Sequence, residues 1–108
     1  MKEAKFCVMY PMPANLEVFE RRYAEEHVPM AVDKLSGKTR FVATRVISQL
    51  GREQAPYHRI AEVYFPSMAV LQACLDSPGG QATAAHAVEI SSGGEPIFLI
   101  TEVETFDF

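Results

Sequence analysis

The chain has 108 residues, close to the size of one compact domain, and 48% of them are apolar, enough to build a core and to exclude a disordered chain. Its formal charge is −4 with Lys and Arg scattered, which argues against nucleic acid as a partner, because phosphate neutralisation supplies most of that affinity. No apolar run approaches the ~20 residues of a membrane-spanning helix, so no membrane association is expected.

The first segment, "KFCVMY" (5–10), is short, apolar and closed by "PMP", which reads as a buried strand. Its apolar run of about five residues is shorter than the ~7–15 of a secretory signal core, so the expected compartment is the cytoplasm. A helix follows in "ANLEVFERRYAEEH". Asn15 is placed to cap it, with Glu17 in the first turn. Leu16, Phe19, Tyr23 and His27 recur at helical spacing and form one apolar stripe, opposite Glu17, Glu20, Arg21 and Glu25. Pro29 lacks the N–H that would bond to Glu25 and disfavours helical angles at Val28, so the helix is expected to end or kink there. His27 would then lie in its last turn. "SGK" (36–38) marks the turn out.

A β-branched strand is expected over 40–50, a connection over 51–56 and a second strand, "YHRIAEVYF", over 57–65, paired as an antiparallel hairpin. Ser67 caps a helix striped by Met68, Leu71 and Leu75. "DSPGG" interrupts it, and Ser77-Pro78 starts a shorter helix through "QATAAHAVEI" (81–90). "IFLITEVETF" (97–106) is the last strand. The order βαββαβ defines an α+β, ferredoxin-like domain over 1–108, a four-stranded antiparallel sheet with helices on one face. The strands alternate poorly between polar and apolar residues, although the helices cover one face only. Burying ~600 Å² of apolar surface at ~25 cal/mol/Å² is worth about 15 kcal/mol before association costs. A homodimer packed sheet to sheet is therefore expected.

Three stretches, "VMYPMPANLEVFERRYAEEHVPMA", "APYHRIAEVYF" and "SPGGQATAA", together resemble the EthD family of the dimeric α+β barrel superfamily. The resemblance covers nearly the whole chain. It implies a pocket between helices and sheet, faced by the histidine at the end of the first helix, here His27, with the strand histidine matching His58. Distant relatives in that superfamily include cofactor-independent monooxygenases, dehydratases, cyclases and isomerases. The second glycine of "SPGG" departs from the acidic residue common there. It is expected to soften the helix start without touching the pocket.

Among single residues, His27 is the candidate general acid/base. The helix end would raise its pKa and burial would lower it. The alternative is a core histidine bonded to a backbone carbonyl. His58 is the second candidate, sharing a strand face with Ile60, Glu62 and Tyr64, while Tyr57, Arg59, Ala61, Val63 and Phe65 share the other. Which face meets the helices is left open by the periodicity. Glu62 and Arg59 each need a partner, and Glu62 is expected to pair with Arg45 or Arg59 across strands or subunits. Tyr10, Tyr23, Tyr57 and Tyr64 could offer phenolic donors to a ligand. His86, in an alanine-rich helix, is read as surface. Cys7 and Cys74 read as small buried hydrophobes and the methionines as packing. Metal spacing, GxGxxG, GxxxxGK[ST] and GxSxG are absent, so neither metal nor organic cofactor is expected. The partners expected are a second copy and a small apolar molecule. The function expected is a cofactor-independent isomerase, dehydratase or oxygenase for an oxygenated catabolic intermediate. The alternatives are a non-catalytic binder and a structural dimer with a filled core.

Overall fold

The computed structural model describes residues 2–108. Strands β1 (Ala4–Pro11), β2 (Arg40–Arg45), β3 (Tyr57–Phe65) and β4 (Ile97–Glu102) form one antiparallel sheet in the order β2-β3-β1-β4. This is the ferredoxin-like arrangement, in which the two central strands, β1 and β3, belong to different halves of the chain. Helices α1 (Leu16–Arg22), α2 (Val28–Lys34), α3 (Met68–Asp76) and α4 (Pro78–Ile90) pack on one side. The core lies between, with Ala4, Phe6, Val8 and Tyr10 of β1 and Ala61, Val63 and Phe65 of β3 beneath Phe19, Tyr23, Ala31, Leu71, Cys74 and Ala87.

The caps form as the sequence predicts. Asn15 accepts from the Val18 amide, and Ser67 from that of Val70. Ser77 ends α3 and caps α4 at once, accepting from Gly80 N at 3.0 Å while its own hydroxyl donates to the Cys74 carbonyl at 2.6 Å. One serine thus makes a corner between two helices without a loop.

Pro29 does not end the first helix. Residues Tyr23–His27 form a π turn, and α2 follows directly with Pro29 in its first turn. The Val28 amide reaches back five residues to Tyr23 O, and Val28 keeps helical angles (φ −60°, ψ −47°). The wider turn re-registers the backbone just before the proline, whose missing N–H then falls where a helix needs none.

Two strands end earlier than expected. β2 stops at Arg45, and only Val46 adds a bond, to His58 O. Beyond it Ile47 and Leu50 are exposed, and the chain turns back on itself with Gln49 paired to Arg52. β4 stops at Glu102, after which Val103 still bonds to Glu3 O.

The face of the sheet away from the helices is more polar than the sequence suggested. All four strand phenylalanines, Phe6, Phe41, Phe65 and Phe98, pair in register with residues of the helix side. The open face carries Met9, Val42, Ile60, Tyr64, Ile97 and Leu99 around a Lys5–Glu62 ion pair of 2.7 Å. Within the chain Glu62 therefore pairs with Lys5 across β1–β3, and Arg59 pairs with Glu20. Arg40 stacks on the Tyr64 ring, 4.2 Å from its centroid.

Candidate active site

His27 is delivered to the core by the stripe read from the sequence. Phe19, Tyr23 and His27 are 1%, 2% and 3% exposed, while Leu16, at the start, is half-exposed. The stripe continues without a break through the π turn, and Phe19, Tyr23 and His27 stack ring on ring. Tyr10 of β1 stands edge-on to all three.

Both ring nitrogens of His27 are engaged. Nε2 lies 3.1 Å from the Tyr10 hydroxyl and Nδ1 lies 2.9 Å from Nδ1 of His86, whose ring plane is within 7° of its own. His86 Nε2 lies 3.2 Å from Oε1 of Glu26. With both imidazoles neutral, these contacts admit one proton arrangement. The Glu26 carboxylate only accepts, so His86 donates from Nε2 and accepts at Nδ1. His27 then donates from Nδ1 and accepts at Nε2, leaving Tyr10 to donate its hydroxyl proton.

The charges agree with that assignment. Burial first, and then repulsion from His86, lowers the His27 pKa from 6.5 to about 4, so the ring is neutral at pH 7. Burial pushes the Tyr10 phenol well above its ordinary value and keeps it a donor. Hydrogen bonds from Arg22 and His86 hold the Glu26 carboxyl below the usual carboxylate range. No helix end raises the His27 pKa, because the helix does not end there.

His86 was read as surface and is instead part of the site. α4 turns Gly80, Thr83, Ala87 and Ile90 inward, and His86 flanks that stripe with its side chain 12% exposed. The signal was present as spacing, since His86 is three residues after Thr83 and four before Ile90.

His58 lies in a different setting from His27. In β1–β3, Tyr10 pairs with Arg59 and Pro11 with Tyr57, so His58 is the extra residue of a β-bulge. The bulge breaks the period-two alternation. His58 leaves the face of Ile60, Glu62 and Tyr64 and meets α1 together with Arg59. Glu20 receives both, with Oε2 3.0 Å from His58 Nε2 and 2.9 Å from Arg59 Nε, and Oε1 2.6 Å from Arg59 Nη2. The Arg59 hydrogen bonds lead in lowering the Glu20 carboxyl to about 2. This pair ties α1 to the end of the sheet beside Tyr23, whose ring lies 5.1 Å from the Arg59 guanidinium. The Tyr23 hydroxyl is buried without a protein partner, and burial pushes its pKa up to about 12.

An apolar cleft runs between sheet and helices to His27. Phe6, Val8, Phe41, Ala61, Val63 and Phe98 floor it, and Ala31, Leu35, Leu75, Gly80, Thr83, Ala84 and Ala87 roof it. It is a narrow slot of about 20 Å³. His27 is the one titratable side chain in its lining. Gly80 does line it, contrary to expectation, and a Cβ there would collide with the Cys74 carbonyl. None of Tyr10, Tyr23, Tyr57 and Tyr64 is in its lining. Tyr57 borders a shallow hollow with Met9, Ile60 and Pro56 on the open side of the sheet, and Tyr64 lies under Arg40. Cys7 and Cys74 are free and buried. Among the described residues, no three His, Cys, Asp or Glu side chains converge as metal ligands, and no helix is long and apolar enough to cross a membrane.

A four-stranded antiparallel sheet with helices on one face, enclosing a slot between the layers, defines a ferredoxin-like α+β protein. Residues 13–91 match the model of the EthD domain, and the chain belongs to the EthD family. It is 34% identical over 101 residues to an uncharacterized 11.0 kDa protein of Rhodococcus erythropolis from the thcB-thcC intergenic region, covering 94% of this chain and 95% of that one. An ethyl tert-butyl ether degradation (EthD) family protein of Bacillus halodurans superposes with a TM-score of 0.86 at 20% identity, over 94% of this chain and 99% of that chain. The hydroxynitrile lyase of Passiflora edulis gives 0.72 at 14% identity, covering 98% of each chain. SnoaB, a cofactor-independent oxygenase of Streptomyces nogalater, gives 0.61 at 13%, over 100% and 97%. A dimeric ferredoxin-like protein of unknown function from Jannaschia gives 0.66 at 18%, over 94% and 99%. At these identities the structures share the fold.

Proposed function

We propose that this EthD protein is a homodimeric, cofactor-independent enzyme that uses His27 as general acid/base on a small, largely apolar oxygenated molecule. One observation carries the reading. A neutral imidazole, oriented through both nitrogens, is the only titratable group on an otherwise apolar slot. A base of that kind accepts a proton from a substrate hydroxyl or acidic C–H that replaces the Tyr10 hydroxyl at Nε2. Tyr10, kept protonated by burial, donates to a substrate oxygen. Tyr23 shapes the wall behind His27, and His58 holds the Glu20–Arg59 frame rather than the substrate. The lyase and the cofactor-independent oxygenase of like fold support chemistry of this class. The second copy covers the open face of Met9, Ile60, Ile97 and Leu99, in keeping with the dimeric relative.

A carrier or sensor for an apolar metabolite is the second reading, favoured because both His27 nitrogens are already satisfied and the slot is tight. The two separate in one experiment. Cyanohydrins, aryl ketones and quinols are incubated with wild type and His27→Gln, following cyanide release, deuterium uptake from D2O and oxygen consumption. The enzyme reading expects one class to be turned over by wild type and slowed by ~100-fold or more in the variant. Binding by both proteins without turnover establishes the carrier instead. Sedimentation at low micromolar concentration should give a particle of two chains, and a single-chain particle overturns the dimer.

A further inference from the structure

The hydrogen bonds around His27 lead out of the core. Tyr10 is their fully buried end, and Glu26, with a side chain 47% exposed, is their end in water. The slot offers a proton no comparable path. Its one side-chain hydroxyl, on Thr83, is committed to the Gly79 carbonyl at 2.7 Å, and apart from His27 the rest of its side chains are apolar. The links His27–His86 and His86–Glu26, at 2.9 and 3.2 Å, are within proton-transfer reach.

We propose that His86 and Glu26 form a proton relay between His27 and bulk water, in which His86 passes the proton and fixes the His27 tautomer. The inference deepens the acid–base reading of His27 and rests on it for its use in turnover, but the relay is a property of the resting fold. When a proton arrives at His27 Nε2, the Nδ1–H bond breaks and that proton joins Nδ1 of His86. The His86 Nε2–H bond breaks in turn, and its proton joins Oε1 of Glu26. Both rings end neutral, and the carboxylic acid releases the proton to water. Returning a proton to product at Nε2 runs the same transfers backwards. The groups facing this chain are Tyr10 from β1, Tyr23 from the π turn, and Arg22 and Glu89 at its mouth. Arg22 bonds both Glu26 and Glu89, which holds the Glu26 carboxylate in place.

The test is nitrogen-15 imidazole NMR of the full chain, reading which His27 nitrogen is protonated and how fast that proton exchanges with water. His86→Gln keeps an acceptor for His27 Nδ1–H, but its amide cannot hand a proton on. The proton is expected on Nδ1 in wild type. In His86→Gln the tautomer should persist while exchange slows about tenfold or more. Glu26→Gln, at the surface where packing is not at stake, should slow exchange severalfold. A proton on Nε2 in wild type, or unchanged exchange in Glu26→Gln or in a folded His86→Gln, overturns the relay. A His27→Gln protein that keeps full turnover sinks the acid–base reading and leaves the exchange result standing. A relay that fails beside an inactive His27→Gln is wrong alone.

Discussion

A histidine buried in its neutral form leaves a signature in the pH dependence of stability. His27 titrates near 6.5 in the unfolded chain and at about 4 in the fold. Its folded value is depressed, so below pH 6.5 the unfolded state binds a proton that the folded state refuses. The contribution is fully present above pH 6.5 and is lost as pH falls toward 4. At about 1.4 kcal/mol per pH unit it reaches about 3 kcal/mol, of which roughly 2 is gone by pH 4.5. Urea unfolding of wild type and His27→Leu at pH 7.0 and pH 4.5, at one fixed protein concentration, measures it. Wild type should lose roughly 2 kcal/mol more than the variant between those conditions. Equal losses in the two proteins would falsify the claim that His27 is neutral in a desolvated site.

Glu20 offers the complementary carboxylate case. Its value near 2 means that its contribution is present above about 4.5 and is lost as pH falls through 2, and Glu20→Gln leaves Arg59 and His58 one uncharged acceptor oxygen in place of a carboxylate. With the side chain about a quarter exposed, the expected cost is about 2 kcal/mol at pH 7 in urea unfolding, with a flatter acid limb. At Gly80 the sign of the usual rule should reverse. Gly→Ala inside a helix normally stabilises by ~1 kcal/mol, but here the added carbon meets the Cys74 carbonyl, so Gly80→Ala should lower stability by more than ~1 kcal/mol and lower Tm; a raised Tm would show that α3 and α4 can separate freely.

The element order, the three caps and the inward stripe through His27 were legible because each rests on local chemistry: a capping oxygen, an apolar period, a turn residue. What escaped was set by tertiary partners. Pro29 is a breaker by its own backbone, and nothing local says that a wide turn just before it will supply the missing register. The bulge at His58 exists only because β1 pairs with Tyr57 and Arg59 and skips the residue between, so a period-two count sends His58 to the wrong side. His86 sits among alanines whose small side chains give a helix no clear apolar edge, although Thr83, Ala87 and Ile90 mark one in retrospect. Residues 46–50 look like strand because Val46, Ile47 and Leu50 extend the apolar run, but the chain turns back on itself there, with Gln49 paired to Arg52.

The π turn can also be viewed as a reading frame. A five-residue reach in place of four is what one surplus amino acid produces when it is absorbed without looping out of the helix. Deleting a single codon between Tyr23 and Glu26 would take that surplus out and leave an ordinary α-helix whose flanks keep nearly the same relative orientation, so His27 would stay on the side of Phe19. The loss would fall on Pro29, whose ring would then sit inside a regular helix and crowd the carbonyl four residues before it. The extra residue is in this sense what lets a proline and an inward imidazole share one uninterrupted helix.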